Sequence, residues 1–268
     1  MGAADPTIPG LMRRIASNIG AKLPQGWPDV FGQLVIFICA DLLYETARGF
    51  ADGKREIAFA NGQTIIDFER ATGTFFEPGF QAMFLPAQWV IDTANQIYMN
   101  SQFAIFIGFL VWLYLRRNET FYFVRNMVIV SMVFAAIGYT LYPTAPPRMF
   151  AEYGFIDTIN DYSSVNHDSA LVKVFINPYA AVPSMHCAFA LMIGLTGVQV
   201  ARHRASRLFW AMWPVLVIWV VIVTANHYWV DAALGAAVAA ASALVASRLL
   251  ARARPESWSF RREPLGTA

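Results

Sequence analysis

Hydrophobic positions along the chain gather into six long runs that are separated by polar stretches. The runs cover residues 30–48, 97–115, 122–142, 182–201, 208–226 and 229–250. A helix needs about 20 mostly apolar residues to cross the hydrocarbon core of a bilayer, and each run is close to that length. The pattern therefore predicts an all-α, polytopic membrane protein built as a bundle of six transmembrane helices.

Residues 49–96 follow a different pattern. In "GQTIIDFERATGTFFEPGFQAMFLPAQWVID", acids, Gly and Pro interrupt the apolar positions too often for a membrane span. Amphipathic helices that lie on the outer face of the membrane fit this pattern better. No internal repeat is present. We predict a single membrane domain over residues 1–268, with an N-terminal tail at 1–28, a core at 97–250 and a C-terminal tail at 251–268.

Composition supports this class of protein. Hydrophobic residues make up 57% of the chain and charged residues 14%. Soluble domains usually carry about 25% charged residues. The net charge of +2 is too small to favour a nucleic-acid partner. The two cysteines, Cys39 and Cys187, both lie in apolar stretches, so no disulfide or zinc framework is readable from their spacing.

Basic residues predict how the chain is oriented. They precede the first run, surround the turn between the second and third, fill the turn between the fourth and fifth, and follow the last span. They are Arg13, Arg14, Lys22, Arg116, Arg117, Arg125, Arg202, Arg204, Arg207, Arg248, Arg252, Arg254, Arg261 and Arg262. With six spans these regions share one side, and the positive-inside rule makes that side cytoplasmic. We expect a plasma-membrane protein with both termini in the cytoplasm.

Three polar stretches interrupt the apolar runs at the opposite, extracytoplasmic side. "LYPTAPPRMF" closes the third run, "AVPSMHCAFA" opens the fourth, and "TANHYWVDAALG" joins the fifth to the sixth. Ionisable side chains near membrane depth are costly and usually functional. Because the three stretches are predicted to lie at one depth, we expect their polar side chains to form a common site.

His227 and Asp231 are four residues apart, so they share one face if the sixth helix begins near residue 227. An aspartate that accepts a hydrogen bond from one imidazole nitrogen fixes the tautomer and leaves the other nitrogen free to attack. His186 comes from a different helix and can supply a proton. These residue types predict nucleophilic catalysis with general acid help.

Phosphate is the group that the neighbouring residues are suited to bind. Arg148 follows two prolines, and a guanidinium can hold two phosphate oxygens at once. Ser184 adds a hydroxyl donor, and the amide groups at the start of the fourth helix favour an anion. Arg48 lies near the outer end of the first run. It either reaches the same pocket or extends to the membrane interface.

Two other classes of protein fit part of this pattern. His186, His227 and Asp231 are possible zinc ligands with an open position, but no H-E-x-x-H helix accompanies them. A non-enzymatic transporter or scaffold for anionic lipids explains Arg148, but not a His–Asp pair with a second histidine. No nucleotide-binding G-x-x-x-x-G-K-[ST] loop occurs. The predicted chemistry requires neither a metal nor ATP, so we expect no cofactor.

Two of these stretches resemble known motifs. Residues Pro183–His186 read Pro-Ser-Met-His, and residues His227–Asp231 read His-Tyr-Trp-Val-Asp. As a set they resemble the Pro-Ser-x-His and His-x-x-x-Asp motifs of the type 2 phosphatidic acid phosphatase superfamily. The resemblance covers roughly residues 97–250 and implies a six-helix core.

The resemblance also implies roles for individual residues. His227 would be the nucleophile, Asp231 its orienting partner and His186 the general acid. The chain departs from the phosphatase members of the superfamily at two places. Pro146–Arg148 reads Pro-Pro-Arg where those members have a Lys and an Arg-Pro pair, and Val221 stands where they have an arginine six residues before the nucleophile.

With these departures, the chain looks more like the inositol phosphorylceramide synthase branch. Members of that branch transfer a phosphoryl-headgroup to an alcohol on a lipid. The resemblance therefore implies a membrane lipid phosphotransferase that uses a phospholipid donor and a phosphohistidine intermediate. The acceptor would be inositol, a sugar or a lipid hydroxyl. If water is the acceptor instead, the protein is a lipid phosphate phosphatase.

Overall fold

The computed structural model describes residues 20, 23–49, 54–159 and 179–250, without the side chains of residues 47–49, 101 and 102. Over these residues it contains helices and no strand, which confirms the predicted all-α class. The helices are Gly26–Gly49 (α1), Arg55–Ala71 (α2), Glu77–Phe84 (α3), Gln88–Gln96 (α4), Gln102–Arg116 (α5), Asn118–Leu141 (α6), Met185–Val200 (α7), Arg204–Val223 (α8) and Trp229–Val245 (α9). A π-helical turn, Ile97–Ser101, joins α4 to α5, and another, Ala246–Leu250, extends α9.

In the described residues, length and composition identify four or five helices that could cross a membrane, where the apolar runs predict six. Four are long and apolar enough: Gly26–Thr46, Asn118–Leu141, Arg204–Val223 and Trp229–Leu250. A fifth candidate is a pair, Gln88–Asn100 and Phe103–Arg116, that is bent by 46°. Helix α7 is apolar but has only 16 residues. In the described residues, helix length and composition thus support four or five spans, and the count of six is not confirmed.

Helices α2, α3 and α4 occupy the segment in which amphipathic helices were predicted. The buried positions of α2 recur at helical spacing and form one face: Ala58, Gly62, Ile65, Ile66 and Glu69. This face holds the chain that follows α6. The amide of Ala145 donates to the carbonyl of Ala58 at 2.9 Å, and the side-chain amide of Asn61 donates to the carbonyl of Pro143 at 2.8 Å.

Close helix packing sets the distance between α7 and its neighbours. A Cβ added at Gly197 would overlap the Trp210 ring of α8, and one added at Gly235 would overlap the carbonyl oxygen of Ser184. In a bilayer, small residues at contact points allow backbones to approach, and dispersion forces then hold the helices together. Helices α8 and α9 are thereby fixed against α7, and α9 meets it at the end where the polar stretches converge.

Arg125 is a charged residue within the third apolar run. It lies inside α6 and is 7% exposed. Its guanidinium donates to Gln33 at 2.6 Å and lies 5.1 Å from the centre of the Tyr122 ring. Asp29 accepts hydrogen bonds from the hydroxyl groups of Tyr114 and Tyr122. The hydrogen-bond partners explain why a charged residue is found in an apolar helix.

Candidate active site

Two histidines from different elements face each other at one end of the bundle. His186 is the second residue of α7, and His227 lies in the turn between α8 and α9. Their ring centroids are 5.8 Å apart, and the ring planes are inclined by 55°. His227 is 4% exposed, whereas His186 is half-buried. The fold therefore brings together two imidazoles that are 41 residues apart in the sequence.

His227 pairs with Asp231. Nδ1 of His227 is 3.3 Å from Oδ2 of Asp231, and the same oxygen accepts the amide of Tyr228 at 3.1 Å. Helix α9 begins at Trp229, so His227 precedes the helix. The two side chains therefore meet across the start of α9, and not as residues on one face of a helix that begins near residue 227. A carboxylate at Nδ1 favours the tautomer that carries its proton there, and Nε2 then keeps its lone pair.

The turn before α9 has a compact backbone conformation. The amides of Asn226 and His227 both donate to the carbonyl of Val221, at 3.0 and 3.1 Å. Ala225 has φ 51°, in the left-handed region that residues other than Gly rarely adopt. The chain therefore reverses immediately after α8, which returns the ring of His227 toward the carboxylate of Asp231.

Burial controls the protonation of His227. Removal from water, followed by the positive charge of Arg148, lowers the pKa of His227 to about 3, while the carbonyl of Ala181 acts in the opposite direction. The imidazole is therefore neutral at pH 7. A neutral imidazole retains the lone pair that a nucleophile requires.

Arg148 lies beside this pair, in the short 3₁₀ turn Pro147–Met149. Its amide donates to the carbonyl of Ala225 at 2.8 Å, so its backbone is tied to the turn that carries His227. The guanidinium donates to the side-chain oxygen of Asn226, and its Nε is 3.5 Å from Oδ2 of Asp157. The structure thus brings Arg148 to the site that the sequence analysis assigned to it.

Ser184 is buried at the start of α7. Its hydroxyl oxygen accepts the amide of Cys187 at 3.4 Å as the helix cap, and its own amide donates to the carbonyl of Asp231 at 3.1 Å. Ser184 therefore joins the helix that carries His186 to the helix that carries Asp231. Because the hydroxyl is used as an acceptor, its proton remains to be donated to another group.

Arg48 belongs to the last turn of α1, but its side chain lies outside the described residues. One turn earlier, the hydroxyl of Tyr44 is 3.4 Å from that of Tyr139. The hydroxyl of Tyr139 in turn donates to the carbonyl of Pro183 at 3.1 Å. The end of α1 thus lies at the same level of the bundle as the motif that carries His186.

The sequence analysis missed several residues that contact the site. The Tyr98 ring stacks on His186, Asn226 and Asp157 hold Arg148, and the carboxylate of Glu77 accepts the amide of Trp229 at 3.0 Å. Asn226 had a signal, because it directly precedes His227. The others come from segments distant in sequence, and their residue types are common at membrane interfaces and helix starts.

The described residues do not provide a metal site. Among them, no group of three or more His, Cys, Asp or Glu side chains is placed to hold a metal ion. The candidate zinc ligands His186, His227 and Asp231 therefore do not form a ligand set in this structure.

An all-helical bundle with several apolar helices of membrane-spanning length, and with polar groups collected at one end, defines an integral membrane protein. Residues 63–245 match the family model described as the PAP2 superfamily, and this match covers more than half of the chain. The chain belongs to the PAP2 superfamily. Its members are generally phosphatases or phosphotransferases, which makes this a lipid enzyme of that general type. Comparison with curated proteins and comparison with solved structures each give no match.

Proposed function

We propose that the protein is a membrane lipid phosphotransferase of the inositol phosphorylceramide synthase-like kind. It moves a phosphoryl or phospho-headgroup group from a phospholipid to an alcohol through a phosphohistidine. One observation carries this proposal. A buried, neutral imidazole at His227 is held by Asp231, and the second imidazole of His186 has its centroid 5.8 Å away. In this proposal the phosphorus centre lies between the two imidazoles, with one as nucleophile and the other as acid.

In the first step, Nε2 of His227 attacks the phosphorus of the donor lipid. A P–N bond forms while the bond from phosphorus to the leaving lipid oxygen breaks in line with it. His186 gives its proton to that oxygen, so the lipid leaves as a neutral alcohol. Asp231 stabilises the positive charge that develops on the His227 ring through the Nδ1 contact at 3.3 Å.

In the second step, the acceptor hydroxyl attacks the phosphohistidine. His186 is now the base that takes the hydroxyl proton, the P–N bond to His227 breaks, and a new P–O bond forms. Both histidines then return to their starting protonation states. No metal or nucleotide takes part in this scheme.

The phosphate oxygens are bound by Arg148, Ser184 and Arg48 in this proposal. In the structure, the guanidinium of Arg148 contacts Asn226 and Asp157. A phosphate that enters the site would exchange with the single 3.5 Å contact to Asp157, because a guanidinium binds two phosphate oxygens in one plane.

Val221 supports transfer over hydrolysis. The resemblance places an arginine at this position in phosphatase members, whereas Val221 is fully buried and its carbonyl accepts the amides of Asn226 and His227. A transferase must bind an alcohol well enough to outcompete water at about 55 M, and well-oriented reactants reach effective concentrations of about 10⁵–10⁸ M. Hydrolysis, with water as the acceptor, is the alternative function for the same two steps.

The membrane arrangement that we propose together with this function has six spans. Helix α7 is one of them, and the bent pair Gln88–Asn100 and Phe103–Arg116 forms another. The site then faces the extracytoplasmic side of the plasma membrane, and both termini are cytoplasmic. One structural feature supports it. Arg117, Arg202 and Arg207 line one cavity. Arg117 and Arg202 follow the ends of α5 and α7 that lie away from the site, and Arg207 lies in the first turn of α8. Their shared location matches the positive-inside rule.

The decisive experiment incubates the purified enzyme with phospholipids that are ³²P-labelled in the headgroup phosphate, with and without inositol, sugars and lipid alcohols. A transferase gives a new phosphodiester that increases with acceptor at the expense of free phosphate. Free phosphate as the only product across the whole panel contradicts transfer and leaves the phosphatase reaction. His227→Ala should abolish both products and the acid-labile phosphoenzyme. His203→Ala, an exposed histidine at the start of α8, is the matched control and should keep full activity.

A further inference from the structure

Glu77 is a buried carboxylate at the start of α9. It is the first residue of α3 and has no exposed surface. One of its oxygens accepts the amide of Trp229 at 3.0 Å, and the other accepts the amide of Phe76 at 3.0 Å. Trp229 is the first residue of α9, so a carboxylate from another helix binds the free amide end of the helix that carries Asp231.

Glu69 is a second buried carboxyl group next to Glu77. It lies on the buried face of α2, and neither of its oxygens has a hydrogen-bond partner of ordinary length and angle among the described residues. The titratable groups around Glu69 are Glu77 from α3, Asp231 from α9 and Tyr228 from the turn before α9. Glu69 acts on Tyr228 through its charge. No cation is among these groups, so an ionised Glu69 would be a buried charge beside other negative charges, which is costly.

Burial is the main cause that raises the pKa of Glu69 to about 9, and the negative charges of Glu77 and Asp231 add to it, while the amide of Val230 partly opposes them. Glu69 is therefore protonated at neutral pH. A neutral Glu69 adds no negative charge beside the Glu77 side chain that binds two amides.

We propose that Glu69 and Glu77 are a carboxylic acid–carboxylate pair that holds one proton and positions the first turn of α9, and with it Asp231 and His227. The proposal rests on the proposed function, because the residues it positions are the nucleophile and its partner. Glu77 is the positioning residue, through the amide of Trp229. Glu69 acts through Glu77, and neither residue contacts the reacting atoms.

The first turn of α9 explains how such a pair affects catalysis. Its amides at Tyr228 and Trp229 are bound by two carboxylates, Asp231 from within the helix and Glu77 from outside. If Glu77 withdraws, the amide of Trp229 loses its carboxylate partner, and the carboxylate of Asp231 moves relative to the ring of His227. A misplacement of about 1 Å in a catalytic group can cost about 100-fold in rate.

Infrared spectroscopy tests whether Glu69 carries the proton of the pair, and this measurement does not depend on catalytic activity. At pH 7 the wild type should show the C=O stretching band of a buried carboxylic acid, and Glu69→Gln should lose it. Glu56→Gln, the same chemical change at an exposed position of α2, should keep the band. An unchanged carboxylic acid band in Glu69→Gln overturns the protonated pair, even if the enzyme proves to be a phosphotransferase.

Kinetics test the positioning. Glu77→Gln should lower kcat about 10- to 100-fold with little change in KM. Glu69→Gln, which imitates the neutral acid, should match the wild type at pH 7. Above about pH 9, Glu69 of the wild type ionises and adds a second negative charge beside Glu77, which the Gln side chain cannot do. The kcat of Glu69→Gln, divided by that of the wild type, should therefore increase above this pH. A ratio that is constant with pH, or a Glu69→Gln enzyme as slow as Glu77→Gln at pH 7, overturns the positioning role.

Failure of the proposed function is distinguishable from failure of this proposal. If the wild type neither transfers nor hydrolyses phosphate, the proposed function fails, and the infrared result still decides whether the pair holds a proton.

Discussion

Tyr98 stacks on His186, with ring centroids 4.2 Å apart and ring planes inclined by 18°. Tyr98 belongs to the π-helical turn Ile97–Ser101, at which the chain bends by 46° between α4 and α5. Single π-helical turns within helices occur frequently at functional sites. Here the bend brings an aromatic ring against the imidazole that the proposed mechanism uses as acid and base.

The stacking predicts a selective defect in Tyr98→Leu. Without the flat ring, His186 loses its alignment, so we expect about a 10- to 100-fold slower transfer from esters whose leaving alkoxide needs a proton. Formation of the phosphoenzyme from a nitrophenyl ester should be almost unchanged, because that leaving group departs without protonation. Tyr98→Phe keeps the stacked ring, so its defect should be smaller than that of Tyr98→Leu. Equal losses with both esters would show that Tyr98 acts on the structure as a whole and not through His186.

Asp231→Asn should be slow but not inactive. An amide cannot compensate the positive charge on the His227 ring and no longer fixes its tautomer, so we expect phosphohistidine formation to slow by about 10²-fold or more. Rapid-quench measurement of acid-labile phosphate gives this rate directly. Asp67→Asn, at an exposed carboxylate on α2, is the control and should have the wild-type rate. A normal rate in Asp231→Asn would remove the aspartate from the mechanism.

Gly235→Ala should destabilise the protein and reduce activity together. The new methyl group overlaps the carbonyl of Ser184, which forces α9 away from α7 and separates His186 from Asp231. Overpacking of this kind costs about 1–3 kcal/mol of unfolding free energy. Gly108→Ala adds the same methyl group where no atom outside its own helix backbone and chain neighbours lies within 4 Å, so its melting temperature in detergent should not fall below that of the wild type. Equal melting temperatures for all three proteins would contradict the close contact.

The buried imidazole predicts a specific pH dependence. The pKa of His227 is lowered to about 3, so the rate of phosphoenzyme formation from a nitrophenyl ester should show no transition at the ordinary histidine value near 6.5. The unfolded chain binds a proton at this residue below pH 6.5 or so, and the folded chain does not. The free energy of unfolding should therefore fall as the pH drops from about 6.5 to about 3. His227→Gln should reduce that slope, and an identical slope in both proteins would contradict the buried neutral state.

The proposed orientation predicts opposite labelling of two introduced cysteines. With Cys39 replaced by Ala, a cysteine at the exposed Thr72 should react with an impermeant thiol reagent in intact cells. One at the exposed His203 should react only after the cells are opened. The two positions lie at opposite ends of the bundle, so the reverse pattern would place the histidine pair on the cytoplasmic side.

The sequence predicted the helices well because apolar length is a strong signal in membrane proteins, and each of the six apolar runs contains a helix. It also selected His186, His227 and Asp231, because their motifs depend on chain-local spacing. It left open whether the sixth helix begins as early as His227, since spacing alone does not show that the carbonyl of Val221 accepts two amides and reverses the chain. Contacts between distant segments, such as Tyr98 with His186, leave no mark in a single sequence.

The shortness of α7 has a consequence for how a substrate arrives. Its 16 residues extend over about 24 Å, whereas the hydrocarbon layer is about 30 Å thick. In the six-span arrangement, a helix this short draws the surrounding lipid layer thinner or leaves its polar end several ångströms below the surface. A lipid phosphate already resides near that depth and can reach His186 by sideways diffusion. A water-soluble phosphate ester must first leave its hydration shell and descend, so the length of one helix favours lipids before any side chain has touched the substrate.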